Sequence, residues 1–343
     1  MKDRESATLP GGPAEEVVEV DEVRLREVRR ALEEMSEAEL LALIPDLAET
    51  LRRTATEWWW MKKQVFQAFE KNGFHVTQDQ FYSAQPSVAR LAPALWDGPR
   101  YLTPAFAFDM EKMLALFDEI VPFARELAGV PRRAASGFYW DNGFFPNFDA
   151  IIYYGLCRRF QPATVLEIGS GFSTHIALRA GERNGMARVR CIEPYPSPTL
   201  EAIAGRLEQF IVRPVQEVPM DVYASLRAGD ILFVDTSHVS KIGSDLHHII
   251  FHVLPALPAG VIVHFHDIFL PWEYPREWVV ERNWFWNEQY LILAFMMYNT
   301  AFRVLFINNH FLSTQAQIAE SALTGLATGP LSGASLWLRK QEA

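Results

Sequence analysis

The segment Val165-Leu-Glu-Ile-Gly-Ser-Gly-Phe-Ser-Thr174 compresses a strand, a turn and a helix start into one short run. Val165, Leu166 and Ile168 are apolar and read as a short buried strand; Gly169 and Gly171 follow at once, and Ser173 and Thr174 can open a helix. Together they make a nucleotide-binding corner, with glycine where the backbone must lie against a ligand. Outward from this corner, strand and helix patterns alternate. Strands are expected at Thr164–Ile168, Arg188–Glu193, Phe210–Arg213, Asp230–Asp235, Val261–Asp267, Phe302–Ile307 and Ser335–Arg339. Helices are expected around Ser173–Asn184, Pro198–Glu208, Lys241–Leu254 and Asn287–Asn299. Such alternation is the signature of an α/β protein with a parallel sheet covered on both faces.

The ligand follows from the details of the turn. A dinucleotide site wants a third glycine for close packing beside a pyrophosphate; here that position is Thr174. Glu167 sits two residues before the first glycine, where it would repel a pyrophosphate but suits a ligand bearing an ammonium and a sulfonium, S-adenosylmethionine. Arg190-Cys-Ile-Glu193 reads as the end of a second strand. An acid placed like Glu193 can accept hydrogen bonds from both ribose hydroxyls. On Glu167-x-Gly169-x-Gly171 and Glu193 the chain resembles the class I S-adenosylmethionine-dependent methyltransferases. The resemblance implies a Rossmann-like seven-stranded methyltransferase sheet with an antiparallel last strand, and a cofactor site formed by Glu167, Gly169, Ser170, Gly171, Ser173, Thr174, Glu193, Gln216 and Asp235.

Ligands of open α/β sheets bind outside the carboxyl ends of the strands. The fourth strand runs into Asp235-Thr-Ser-His238 and the fifth into His266-Asp267, which brings four ionisable groups to the edge that carries the glycine loop. Charge at a sheet end must be solvated, paired or metallated. Val234-Asp-Thr-Ser-His238 and Pro258-Ala-Gly-Val-Ile-Val-His-Phe-His-Asp267, with Lys241–Asp245, Phe269–Trp278 and Phe138–Asn142, resemble a bacterial group related to the catechol and sugar O-methyltransferases. That resemblance covers roughly residues 136–310. Catechol-type enzymes hold magnesium with an Asp after strand four and an Asp-Asn pair after strand five. Here the set would be Asp235, His266 and Asp267, a departure that suits Mg, Mn, Fe or Zn. Methyl transfer is a direct substitution at the sulfonium carbon, so the protein mainly aligns the acceptor and removes its proton. His238 and His266 are the candidates for that base, with Asp267 orienting a histidine or binding metal. Asp149 can cap a helix or reach the cofactor, and capping is the expectation. His248 and His252 share a helical face, but a metalloprotease glutamate is missing, and they read as helix surface.

Composition sets the remaining bounds. Hydrophobic residues at 49% imply a substantial core, and a net charge of −10 argues against a nucleic-acid partner. The two cysteines, Cys157 and Cys191, lie in apolar runs and read as buried thiols. No signal segment or membrane span is read, so a cytoplasmic protein is expected. Residues 1–15 read as a disordered tail, 16–130 as an N-terminal helical extension, and 131–343 as the S-adenosylmethionine-binding domain. In the extension, Ser36-Glu-Ala-Glu39 is a capping box, and a helix from about Thr56 carries Trp58-Trp-Trp60 toward Phe69. These helices would cover the acceptor site or mediate a homo-oligomer. The acceptor is expected to be a small molecule or sugar. Two other readings use the same corner: a nicotinamide-dependent oxidoreductase, which Glu167 and Thr174 disfavour, and a non-catalytic scaffold, which the ionisable cluster disfavours.

Overall fold

Seven strands are found where the apolar runs fall, in a computed structural model that describes residues 30–53, 63–185, 188–327 and 329–342. The expected tail at 1–15 and the Trp58–Trp60 run lie outside the described residues. The chain divides into two units, residues 1–86 and 87–343.

Within the first unit, α1 (Glu37–Arg53) and α2 (Lys63–Glu70) are described. The capping box forms: the Ser36 amide donates to the Glu39 carboxylate at 2.8 Å, and the Glu39 amide donates to Ser36 Oγ at 3.4 Å. None of the residues of α1 is buried.

In the second unit, α3 (Met110–Ala124) starts at Asp109, whose side chain accepts from the Lys112 amide. It buries Met113, Phe117, Ile120 and Ala124 in the same core as the sheet. Residues 87–130 therefore pack with residues 131–343, and the turn at Gly129–Pro131 lies inside this unit rather than at its edge. Next comes α4 (Asn147–Phe160), whose start was expected near Asp149 but whose extent the sequence pattern did not suggest. Eleven of its residues, Asn147 through Cys157, are buried, so its apolar residues show no single face for periodicity to detect.

The sheet strands are β1 (Thr164–Ile168), β2 (Arg188–Ile192), β3 (Gln209–Ile211), β4 (Ile231–Val234), β5 (Ile262–Phe265), β6 (Phe302–Ile307) and β7 (Leu336–Lys340). Their spatial order is β3-β2-β1-β4-β5-β7-β6. The first five are parallel, while β7 runs antiparallel to both β5 and β6. This is the Rossmann-like arrangement with a reversed last strand. β1, β4 and β5 are buried along their whole length, which is why they read as continuous apolar runs rather than alternating ones. α5 (Phe172–Asn184) follows β1, and α6 (residues 245–256) precedes β5, capped by Ser244, which accepts from the His247 amide. The helix expected at Pro198–Glu208 is two short turns, Pro198–Glu201 and Ala204–Arg206. α7 (Glu288–Met296) and α8 (Asn308–Ala322) flank β6. α8 was not anticipated; its mixed composition and a non-helical Gln315 blur its periodicity. Cys157 and Cys191 are buried free thiols. Among the described residues, no helix is long and apolar enough to cross a membrane.

Candidate active site

β1 and β4 are neighbours, and the glycine turn meets the end of β4 at close range. Gly169 has φ +78°, and a Cβ there would lie 1.5 Å from the Asp235 carbonyl oxygen. Only glycine fits. The turn opens a cleft of about 420 Å³ lined by Gly169, Glu193, Gln216 and Asp235, adjoining one of about 300 Å³ lined by Gly169, Ser170, Gly171, Ser173, Glu193 and Asp235. Glu193 ties the two sides together, accepting from the amides of Ser170 at 3.2 Å and Tyr195 at 2.8 Å.

Glu167 and Thr174 are placed differently from expectation. Both are fully buried and line neither cleft. The Tyr153 hydroxyl donates to Glu167 at 3.0 Å, Thr174 Oγ1 also donates to Glu167, and the Gly171 amide donates to Thr174 Oγ1 at 3.1 Å. The acid thus braces the glycine loop from behind. Burial pushes its carboxyl up to about 7, against the lowering effect of Thr174 and Tyr153. Stability from protonated Glu167 is complete below its ordinary value near 4.5 and is lost as pH rises through 7. Glu167→Gln cannot ionise, so the variant should gain on the wild type by about 3 kcal/mol between pH 4.5 and 8. Urea unfolding of both proteins at the two pH values measures the gain, and parallel profiles would overturn it.

At the strand ends, four carboxylates face two imidazoles. His238 Nε2 lies 3.3 Å from Asp235 Oδ1 and 3.5 Å from Asp267 Oδ2, and its Nδ1 lies 2.8 Å from Glu288 Oε2. His266 Nε2 lies 3.2 Å from Asp149 Oδ2, and its Nδ1 is 3.4 Å from Asp267 and 3.7 Å from Asp235. These His266 approaches are electrostatic, without hydrogen-bond alignment. Phe145 packs over the His266 ring and Trp286 over the His238 ring. His238 and Asp267 both take left-handed backbone conformations, φ +58° and +55°. Non-glycine residues held there carry strain, which concentrates at functional sites. The His238 carbonyl accepts from the Asn287 and Glu288 amides, each at 3.1 Å, which locks that conformation.

The charges shape one another. Burial opposes a charged His238, but Asp235 and Glu288 overcome it and raise its pKa to about 10. Burial likewise disfavours a charged His266, yet Asp267 and Asp235 raise it well above the ordinary histidine range. Asp235, despite burial, is held down at about 2 by His266 and His238. Burial raises Glu288, with His238 pulling the other way.

Glu288 escaped the sequence reading, and Asp149, expected to cap a helix, instead faces His266. Asp149 is the third residue of α4, not its cap; it accepts from Asn308 Nδ2 at 2.6 Å and the Ala334 amide at 3.0 Å. Its signal was an acid inside an otherwise apolar helix. Glu288 stands in the first turn of α7, where an acid ordinarily needs no further reason.

The metal set also shifts. Among the described residues, Asp235, His238 and Asp267 bring ligand atoms within 4.8 Å of one another. His266 sits behind this group with Nε2 turned to Asp149, so His238 takes the place expected for His266. Two carboxylates and an imidazole at that spacing fit a divalent cation. His264 is a core residue, bonded to Ser335 Oγ at 2.8 Å and stacked on Phe233. The His248 and His252 rings lie 5.4 Å apart on α6, with His252 exposed and His248 half-buried.

Residues 166–268 match the family model of a methyltransferase domain. An uncharacterized protein of Archaeoglobus fulgidus is 34% identical over 93 residues, which is 26% of this chain and 42% of that protein's length. The chain thus spans less than half of that curated relative. Among solved structures, the O-methyltransferase TomG of Streptomyces achromogenes, involved in tomaymycin synthesis and bound to S-adenosylmethionine, is similar at 14% identity and TM-score 0.34, covering 69% of this chain and 92% of that one. A methyltransferase from Geobacter sulfurreducens matches at 15% identity and TM-score 0.35, covering 70% and 92%. The Bacillus cereus O-methyltransferase bound to S-adenosylhomocysteine matches at 12% identity and TM-score 0.33, covering 72% and 99%.

Proposed function

We propose, with residues 166–268 a methyltransferase domain as the premise, that the chain transfers the methyl group of S-adenosylmethionine to an oxygen of a small molecule or sugar. One observation carries the reading: the cleft opened by Gly169 has Glu193 on one side and Asp235 on the other, beside a cluster in which carboxylates outnumber imidazoles four to two. That field suits a cationic sulfonium and a ribose, and it opposes a pyrophosphate. Gly169, Ser170, Gly171, Ser173, Glu193, Gln216 and Asp235 would contact the cofactor, with Glu167 and Thr174 supporting the loop.

In the transfer, the acceptor oxygen forms a bond to the methyl carbon as the carbon–sulfur bond breaks. The sulfonium becomes a thioether, and the acceptor hydroxyl loses its proton. An imidazolium does not accept a proton, so at neutral pH the task falls to Asp267, with His238 at 3.5 Å holding the compensating charge. His266 keeps Asp235 and Asp267 in place and is a positioning residue. A divalent cation on Asp235, Asp267 and a deprotonated His238 would be a separate state of the site, displacing the His238 proton and supplying Lewis-acid polarisation of the acceptor oxygen in place of the Asp267 base.

Self-association through the N-terminal helices is supported by the exposed apolar row Leu40, Leu41, Leu43, Ile44 and Leu47 on α1. Two buried free thiols support a cytoplasmic setting. Calorimetric titration with S-adenosylhomocysteine, with NAD as control, tests the cofactor. The expected result is binding of the former alone. Binding of NAD alone would replace the proposal with the oxidoreductase reading.

A further inference from the structure

We infer that the chain carries a second ligand site, for a small organic anion with an apolar body, in the cleft between α3 and the β6–β7 edge of the sheet. The cleft encloses about 380 Å³, within the range of small-molecule sites. It lies away from the methyl-transfer site: Arg339 pairs with Ile262, the first residue of β5, whereas Asp267 follows the other end of that strand.

Four cations line the cleft, Lys112, Arg159, Arg303 and Arg339, in a protein whose net charge is −10. The two acids in its wall are already engaged, Asp109 by Lys112 at 2.8 Å and Glu119 by Arg159. Arg303 and Arg339 are left facing each other as direct partners across the β6–β7 ladder. Like charges directly opposite on antiparallel strands destabilise a sheet. No carboxylate among the described residues relieves this pair. Arg339 makes a 3.4 Å contact to the Gly260 carbonyl and lies over the Phe160 ring at 5.5 Å, while the side chain of Arg303 has neither an ion pair nor a hydrogen bond among the described residues. Arg303 is exposed and Arg339 half-buried, so the pair is open to solvent.

Adjacent guanidinium forks match the oxygens of a carboxylate or phosphate. The rest of the wall includes Phe108, Leu116, Phe160 and Leu305, an apolar bed for the body of the ligand. An oxyanion between Arg303 and Arg339 would convert a repulsive pair into a bridged one. The same geometry makes a second demand: without the anion, Arg303 is a liability to the sheet.

The test uses the full chain at constant ionic strength, with phenyl phosphate, benzoate, inorganic phosphate and phenol as probes. Calorimetry and thermal melting should show phenyl phosphate or benzoate binding at least about tenfold tighter than phenol, and inorganic phosphate binding more weakly than phenyl phosphate. Whichever of phenyl phosphate and benzoate binds tighter names the headgroup. Arg303→Ala should weaken that binding about tenfold or more, yet melt no lower than the wild type without ligand. Arg303→Lys, which keeps the charge and loses the fork, should fall between them. Three results would each overturn the site: a melting shift that sodium chloride reproduces, undiminished binding to Arg303→Ala, or a ligand-free Arg303→Ala protein that melts lower than the wild type.

Discussion

Gly169→Ala should unfold the cofactor corner, with a loss of about 3 kcal/mol or more and a melting temperature lower by roughly 6–12 °C. Two effects combine at this residue. Its φ of +78° is one that alanine rarely adopts, and the added methyl would sit 1.5 Å from the Asp235 carbonyl oxygen. Backbone cannot move aside as a side chain can, so β1 and β4 must part to make room. Gly171→Ala is the contrast, because Gly171 has an extended φ of 175° and a Cβ there meets nothing within 4 Å. That variant should melt like the wild type while weakening S-adenosylhomocysteine binding, since Gly171 lines the cleft. Thermal melts and titration of both proteins decide the matter; a Gly169→Ala protein melting with the wild type would refute the close approach.

Asp267→Asn should lower turnover by roughly 10²–10⁴-fold, the range expected for losing a general base. S-adenosylhomocysteine affinity should stay within about threefold. Asparagine is among the few non-glycine residue types enriched at positive φ, so the backbone at +55° survives the change. His238→Ala is expected to be equally inactive but less stable, because it leaves Glu288 buried without its 2.8 Å partner. Single-turnover rates, cofactor titrations and melts separate these outcomes. Loss of cofactor binding in both variants would remove the proton-accepting role from Asp267 and the charge-holding role from His238.

What could be read from sequence was local. The strand, glycine turn and helix start of residues 164–184 lie within one continuous stretch, and all seven strands follow from apolar runs. Asp235, His238, His266 and Asp267 were brought together by topology alone, since β4 and β5 end at the same edge. The second carboxylate layer was not legible. Asp149 meets His266 across 117 residues of chain, and Glu288 meets His238 across 50. No periodicity encodes such pairings. Both acids also stand in first helical turns, where acids are common for unrelated reasons. The placement of Glu167 behind the loop was not legible for a related reason: strand alternation does not reveal that Tyr153, from α4, donates to its carboxylate.

Asp149 takes its last donor from the backbone of Ala334, 185 residues further along the chain, where a Cβ on Gly333 would already crowd it at 2.5 Å. During synthesis, the carboxylate that supports His266 must wait until residue 334 has left the ribosome. The glycine loop and the ends of β4 and β5 emerge long before it, so the residues that line the cofactor cleft are made well before the layer behind His266 can be completed. A product truncated before residue 334 lacks both the Ala334 donor and β7, the strand that pairs with β5 and β6, and so has no settled place for His266.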